Sequence, residues 1–128
     1  MKKILLIVLV LIVGCAKEPI NLEALNERDD VYYTKDTNKP YTGAVFTLYP
    51  SGEKNADAYI KDGKIDGKVT VYKKSGQIEK EGNFKDGERD GKWTGYYENG
   101  QIKKETYYKD GKEDGKRTRY WSNGQIKT

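Results

Sequence analysis

Glycine recurs in this chain on a lattice of 24 residues with no slippage. Gly43, Gly67, Gly91 and Gly115 form one row, Gly52, Gly76, Gly100 and Gly124 a second, and Gly63, Gly87 and Gly111 a third. Glycine is kept where φ turns positive or where a side chain would collide. Constant spacing therefore means a constant backbone path. The period predicts an array of like units rather than a domain organised around one pocket.

Each unit reads as two strands and two turns. In the third, residues 91–97 are rich in aromatic and β-branched side chains, as strands are. A small polar residue then precedes the second-row glycine: Ser51-Gly52, Ser75-Gly76, Asn99-Gly100 and Asn123-Gly124. That pairing is a hairpin signal with glycine in the left-handed region. A second strand follows, and the return carries two Asp-Gly pairs, at Asp62-Gly63 and Asp66-Gly67, Asp86-Gly87 and Asp90-Gly91, and Asp110-Gly111 and Asp114-Gly115. No window sustains a helical period. The expected fold is all-β, an elongated antiparallel meander of stacked hairpins with units at 43–66, 67–90 and 91–114 and a partial unit at 115–128.

A lone hairpin is marginal in water, so adjacent units must stabilise one another. Tyr72, Tyr96 and Tyr120 repeat in phase with Leu48, Ile60 with Phe84 and Tyr108, and Ile78 with Ile102 and Ile126. These rows predict same-face ladders. With 35% hydrophobic residues the sheet should be thin and partly solvated on both faces. The last unit departs from the pattern: Arg117 replaces the row of Val45, Val69 and Trp93, and Arg119 the row of Thr47, Val71 and Gly95. Charge on a terminal strand blunts an edge against aggregation, and that reading is preferred to an arginine binding site.

The N-terminus is of another kind. Lys2 and Lys3 precede a ten-residue apolar run, Ile4 to Val13, too short to span a bilayer but suited to a signal peptide. The run ends in Ile12, Val13, Gly14 and Cys15, which resembles the lipobox of bacterial lipoproteins. The resemblance implies cleavage after residue 14 and acylation of Cys15, the only cysteine. Ala16 stands where an aspartate would favour inner-membrane retention, so the expected address is the cell envelope, at the outer membrane or surface. Residues 15–30 read as a polar tether, either disordered or with a short helical turn around Asn21–Leu25, and 31–42 as a degenerate leading half-repeat.

Chemistry is sparse. There is no histidine, which removes the commonest general base and the usual metal ligand. Ser51, Ser75 and Ser122 all flank hairpin turns. The paired aspartates could ligate calcium, but lysines interleave with them and no known calcium-loop spacing is present. No catalytic residues, metal, cofactor or small-molecule substrate are expected. Without Lys2 and Lys3, 22 basic residues face 20 acidic ones, too even a balance to suggest nucleic acid.

The glycine, aromatic and Asn-Gly positions over 43–128 resemble the bacterial MORN-variant repeat, found in proteins named as YwqK-type antitoxin components of toxin–antitoxin systems. That resemblance implies stacked β-hairpins and, loosely, scaffolding, protein contact or lipid binding. Tyr96, Tyr97, Tyr107, Tyr108 and Trp121 form the candidate binding surface, because tyrosine and tryptophan are enriched at interfaces. The functional expectation is a lipid-anchored, non-enzymatic, antitoxin-like module that binds a protein. The alternative is a membrane-surface module whose basic turns, such as Lys103, Lys104 and Lys109, meet anionic headgroups.

Overall fold

A computed structural model of the chain describes residues 17–127. The signal segment, the lipobox residues Ile12, Val13 and Gly14, and Cys15 lie outside the described residues. The described chain has no α-helix. It begins with β1 (Ile20–Asn21), a single 3-10 turn (Leu22–Ala24), β2 (Leu25–Arg28) and β3 (Val31–Thr34). The array follows as β4 (Gly43–Leu48), β5 (Lys54–Lys61), β6 (Lys64–Ile65), β7 (Gly67–Tyr72), β8 (Ile78–Lys85), β9 (Glu88–Tyr96), β10 (Ile102–Lys109) and β11 (Lys112–Arg119).

One sheet runs in the order β1-β4-β5-β7-β8-β9-β10-β11, with β6 paired onto β5. From β4 onward it is an antiparallel meander, and its register repeats with the lattice. Gly43 faces Ile60, Gly67 faces Phe84, and Gly91 faces Tyr108. The two ladders expected at the other end of the strands pair with each other: Tyr72 with Ile78, Tyr96 with Ile102, and Tyr120 with Ile126.

The turns follow from their residues. Gly52 N–H donates to the Tyr49 carbonyl, while Tyr49 N–H donates to Glu53. The same pair of bonds closes the loops at Gly76, Gly100 and Gly124. This is a three-residue hairpin loop, a type I turn ending in a left-handed glycine, and Pro50 suits its first corner. On the return side, Asp62 and Gly63 both have positive φ, +49° and +86°, as a two-residue type I′ hairpin requires.

The second Asp-Gly pair is not a turn. Gly91 lies within β9 and Gly115 within β11, at φ +74° and +86°. Pairing of β8 with β9 steps from Asn83↔Asp90 to Glu81↔Thr94, so the β9 side carries extra residues. A positive-φ glycine here makes a β-bulge that bends the strand without ending it. The returning strands therefore run on through the bulge, to nine residues in β9 and eight in β11.

The described part of the expected tether, 17–30, is folded. β1 pairs in parallel with β4 along Ile20↔Val45 and Asn21↔Phe46. β2 and β3 make a separate hairpin, so Val31–Thr34 does not join the main sheet. Tyr41 still holds the repeat phase, since its carbonyl accepts from Gly63 as those of Ile65 and Arg89 accept from Gly87 and Gly111. The reason is apolar. Leu25, Tyr41, Val45 and Ile60 form the core cluster, with Ile20, Leu22, Tyr32, Ala58 and Ile65 packed against it. The N-terminal segment is a second layer over the first hairpin, and it caps one end of the array as terminal repeats do. Beyond it the sheet is a single layer.

Candidate functional site

Cross-strand partners share a face of the sheet, and successive residues alternate between faces. One face is self-satisfied. The Tyr72 hydroxyl donates to Asp57 at 2.8 Å, Tyr96 to Glu81 at 2.8 Å, and Tyr120 to Glu105 at 2.6 Å. Lys68 meets Glu81 at 3.1 Å and Lys92 meets Glu105 at 3.2 Å. Lysine, carboxylate and tyrosine thus recur as a unit once per repeat. Position 44, in phase with Lys68 and Lys92, is alanine, and Asp57 turns instead to Lys54 at 3.1 Å.

Ionisation follows these contacts. The Tyr96 hydroxyl and then Lys68 hold the Glu81 carboxyl below the usual carboxylate range, and Tyr120 followed by Lys92 does the same for Glu105. Burial and the Glu81 charge push Tyr96 up, and hydrogen bonding to Asp57 raises Tyr72.

The opposite face changes character along the array. It begins apolar at Val45, Ile60 and Val69 and continues to Trp93, buried against Gly82. The Trp93 indole N–H donates to the Asn83 carbonyl at 3.0 Å. Phe84 and Tyr108 meet the ring edge-on at centroid distances of 5.6 and 6.5 Å. The Arg89 guanidinium lies 4.9 Å from the Trp93 ring, and it donates to the Tyr108 hydroxyl at 3.1 Å.

Past Trp93 the face turns basic. A groove of about 440 Å³ is lined by Lys73, Lys80, Lys103, Lys104, Arg119 and Lys127, with Glu79 its one carboxylate. Gly95 lies in it, and Tyr96 and Tyr97 line it too. Register explains the clustering: Lys80 pairs with Gly95, Gly95 with Lys104, and Lys104 with Arg119. Like charges directly opposite are unfavourable in a sheet. Among the described residues none of these six cations forms an ion pair, whereas Arg117 meets Glu113.

The five aromatics expected to form one surface are divided. Tyr97 is at the hairpin turn, its hydroxyl donating to the Tyr120 carbonyl at 2.6 Å. Tyr96 and Tyr107 lie on the self-satisfied face, and Tyr108 lies on the other. Only Tyr107 and Trp121 are well exposed, at 42% and 53%. The structure brings Tyr96 and Tyr97 to the groove and leaves the other three outside its lining. The groove's own signal was present in sequence as Lys80 and Lys104, one period apart, with Arg119 in the Gly95 row.

Among the described residues no cluster of three or more acidic, cysteine or histidine side chains is placed to hold a metal. Asp62, Asp86 and Asp110 serve instead as positive-φ corners of their turns.

Residues 65–86, 89–110 and 113–128 match the family model described as the MORN repeat variant. The first match starts at the end of β6 and the other two within β9 and β11, and the first two end in the next Asp-Gly turn. The β4–β5 hairpin, in the same register, lies upstream of them. No curated protein matches the chain.

Proposed function

We propose that this chain, whose matched segments are MORN-variant repeats, is a lipid-anchored, non-enzymatic module that binds another protein at the cell envelope. One observation carries the reading: the uncompensated basic groove on a sheet whose other face neutralises its own charges. Such a groove is a surface for an anionic partner, with electrostatics that steer encounter and set register. An immunity-like protein that blocks a toxin at the envelope is one form of this role, and it reconciles the antitoxin-type resemblance with the lipobox.

The anchor also orients the groove. Lys17 donates to the Thr42 carbonyl at 3.1 Å and lies 5.4 Å from the Tyr41 ring. Cys15 precedes Lys17 by two residues, a reach of about 7 Å. The lipid would hold the capped end of the array near the headgroups. β10 stands six strand spacings from β1, roughly 30 Å. The basic end is therefore presented away from the anchor.

Co-purification from envelopes solubilised in neutral detergent tests the reading. The full chain should retain a discrete partner that a Cys15-anchored control lacking 43–128 does not. Equal recovery from both would contradict it. A membrane-surface role is favoured by the same excess of lysine, since basic residues are attracted to anionic headgroups. Salt-sensitive flotation on anionic vesicles, without partner retention, would favour that role.

A further inference from the structure

At the inner end of the groove is a smaller cavity of about 110 Å³, lined by Lys80, Arg89, Trp93, Lys104, Thr106 and Tyr108 over Thr94 and Gly95. It contains three cationic side chains and no carboxylate. Thr106 is 2% exposed, and its Oγ1 is buried with no hydrogen-bond partner. A buried hydroxyl left unpaired costs free energy, and native structures seldom tolerate one without a reason. The Tyr108 hydroxyl accepts from Arg89 and retains its own proton for donation. Every polar group in the cavity that is free to bond is thus a donor or can act as one.

The floor is equally specific. Gly95 stands between Lys80 and Lys104 on the same row, so the two lysine strands are roughly 10 Å apart with no side chain between them. The same row carries Thr47 in the first unit and Val71 in the second. Gly95 is not held at positive φ, and a Cβ there would meet only the Glu79 carbonyl, at 3.9 Å. Neither backbone conformation nor crowding demands glycine at this position. What glycine leaves is an opening between two ammonium groups.

We propose that this cleft, resting on the protein-binding reading above, receives a carboxylate side chain from an acidic segment of the partner. Lys80 and Lys104 flank the carboxylate, Thr106 and Tyr108 donate to it, and the outer groove with Arg119 and Lys127 holds the neighbouring acidic residues. Charge-assisted bonds of this kind are shorter and about twice as strong as neutral ones. An acidic peptide fits better than a bilayer because the cleft lies inside a groove at the end of the array remote from Lys17, the described residue nearest in sequence to the proposed anchor.

The test uses the full chain in neutral detergent and a fluorescent peptide of alternating glutamate and serine, read by anisotropy. The wild-type chain should bind it in a salt-sensitive way and ignore the lysine-for-glutamate counterpart. Gly95→Val fills the cleft without removing a charge, and it should weaken binding about tenfold while thermal stability is kept. Lys80→Gln combined with Lys104→Gln should lose at least as much, whereas Lys61→Gln, at the distant end of β5, should lose nothing. Equal peptide affinity in Gly95→Val and wild type would overturn the proposal. So would Gly95-dependent binding of inorganic phosphate or of phosphatidylglycerol vesicles by a chain that ignores the peptide. If the Gly95→Val chain still retains its envelope partner at wild-type level, the cleft assignment fails and the protein-binding reading stands.

Discussion

Two glycines off the lattice should respond to the same substitution with opposite signs. Gly82 is buried, and the atoms nearest to a Cβ built on it are Cδ2, Cε2 and Cγ of Trp93. Alanine there must displace an indole that is hydrogen-bonded to Asn83 and flanked by Phe84, Tyr108 and Arg89. Overpacking of this kind costs about 1–3 kcal/mol. Gly95→Ala meets only the Glu79 carbonyl, at an ordinary van der Waals 3.9 Å and at ordinary φ, and restricting the unfolded chain should stabilise it by about 0.4–1 kcal/mol. In a domain of about 100 residues 1 kcal/mol moves Tm by roughly 4 °C or more. Gly82→Ala should then melt at least roughly 4 °C below wild type, and Gly95→Ala slightly above it. Urea titration by far-ultraviolet circular dichroism gives the free energies, and tryptophan fluorescence reports the indole shift. A neutral Gly82→Ala, or a destabilising Gly95→Ala, would refute the assignment of Gly82 to close approach and Gly95 to an open floor.

Further tests address the ladders and the anchor. Glu81 and Glu105 have lowered pKa values in the folded state, so their stabilisation is full above the unfolded carboxylate value of about 4.3 and is lost as pH falls through the folded values. Tyr72, Tyr96 and Tyr120 are raised, so theirs is full below about pH 10 and is lost as pH rises through the folded values. Stability measured against pH should show both declines, with the acid one shallower in a chain carrying Tyr96→Phe and Tyr120→Phe. Tyr49 donates to the Tyr72 carbonyl at 2.5 Å, as Tyr97 does to Tyr120. Position 73, in phase with both, is lysine, so Lys73→Tyr should supply the missing bond and raise urea stability by about 1 kcal/mol. Labelled palmitate should enter the precursor and be absent from Cys15→Ala; unchanged labelling would remove the anchor.

The repeat architecture was legible because glycine reports backbone conformation directly. The lattice predicted the hairpins, their shared register and the Tyr–Ile ladders of the other strand end. It did not separate a turn glycine from a bulge glycine, since Gly87 and Gly91 both need positive φ and differ only in what pairs across from them. The N-terminal cap was missed because Ile20, Leu22 and Leu25 are sparse among polar residues. Only the apolar face of β4 and β5 makes them core. Tyr96, Tyr97, Tyr107, Tyr108 and Trp121 read as one binding surface in the sequence. Of these, Tyr96 donates to Glu81, 15 residues upstream, a spacing that becomes contact only once strands are paired, while Tyr97 donates to the Tyr120 carbonyl and Tyr107 and Trp121 stay exposed. Arg119 read as an edge-blunting charge, and cross-strand register made it the neighbour of Lys104.

In the proposed arrangement one face of the sheet neutralises its own charges while the basic end of the other binds a partner. Photo-crosslinking in intact cells tests it directly, with benzoylphenylalanine placed at Lys103 in the groove or at Tyr107 on the self-satisfied face. A discrete protein adduct from position 103 and none from position 107 is the expected result. Adducts from position 107 alone, or from neither, would contradict it.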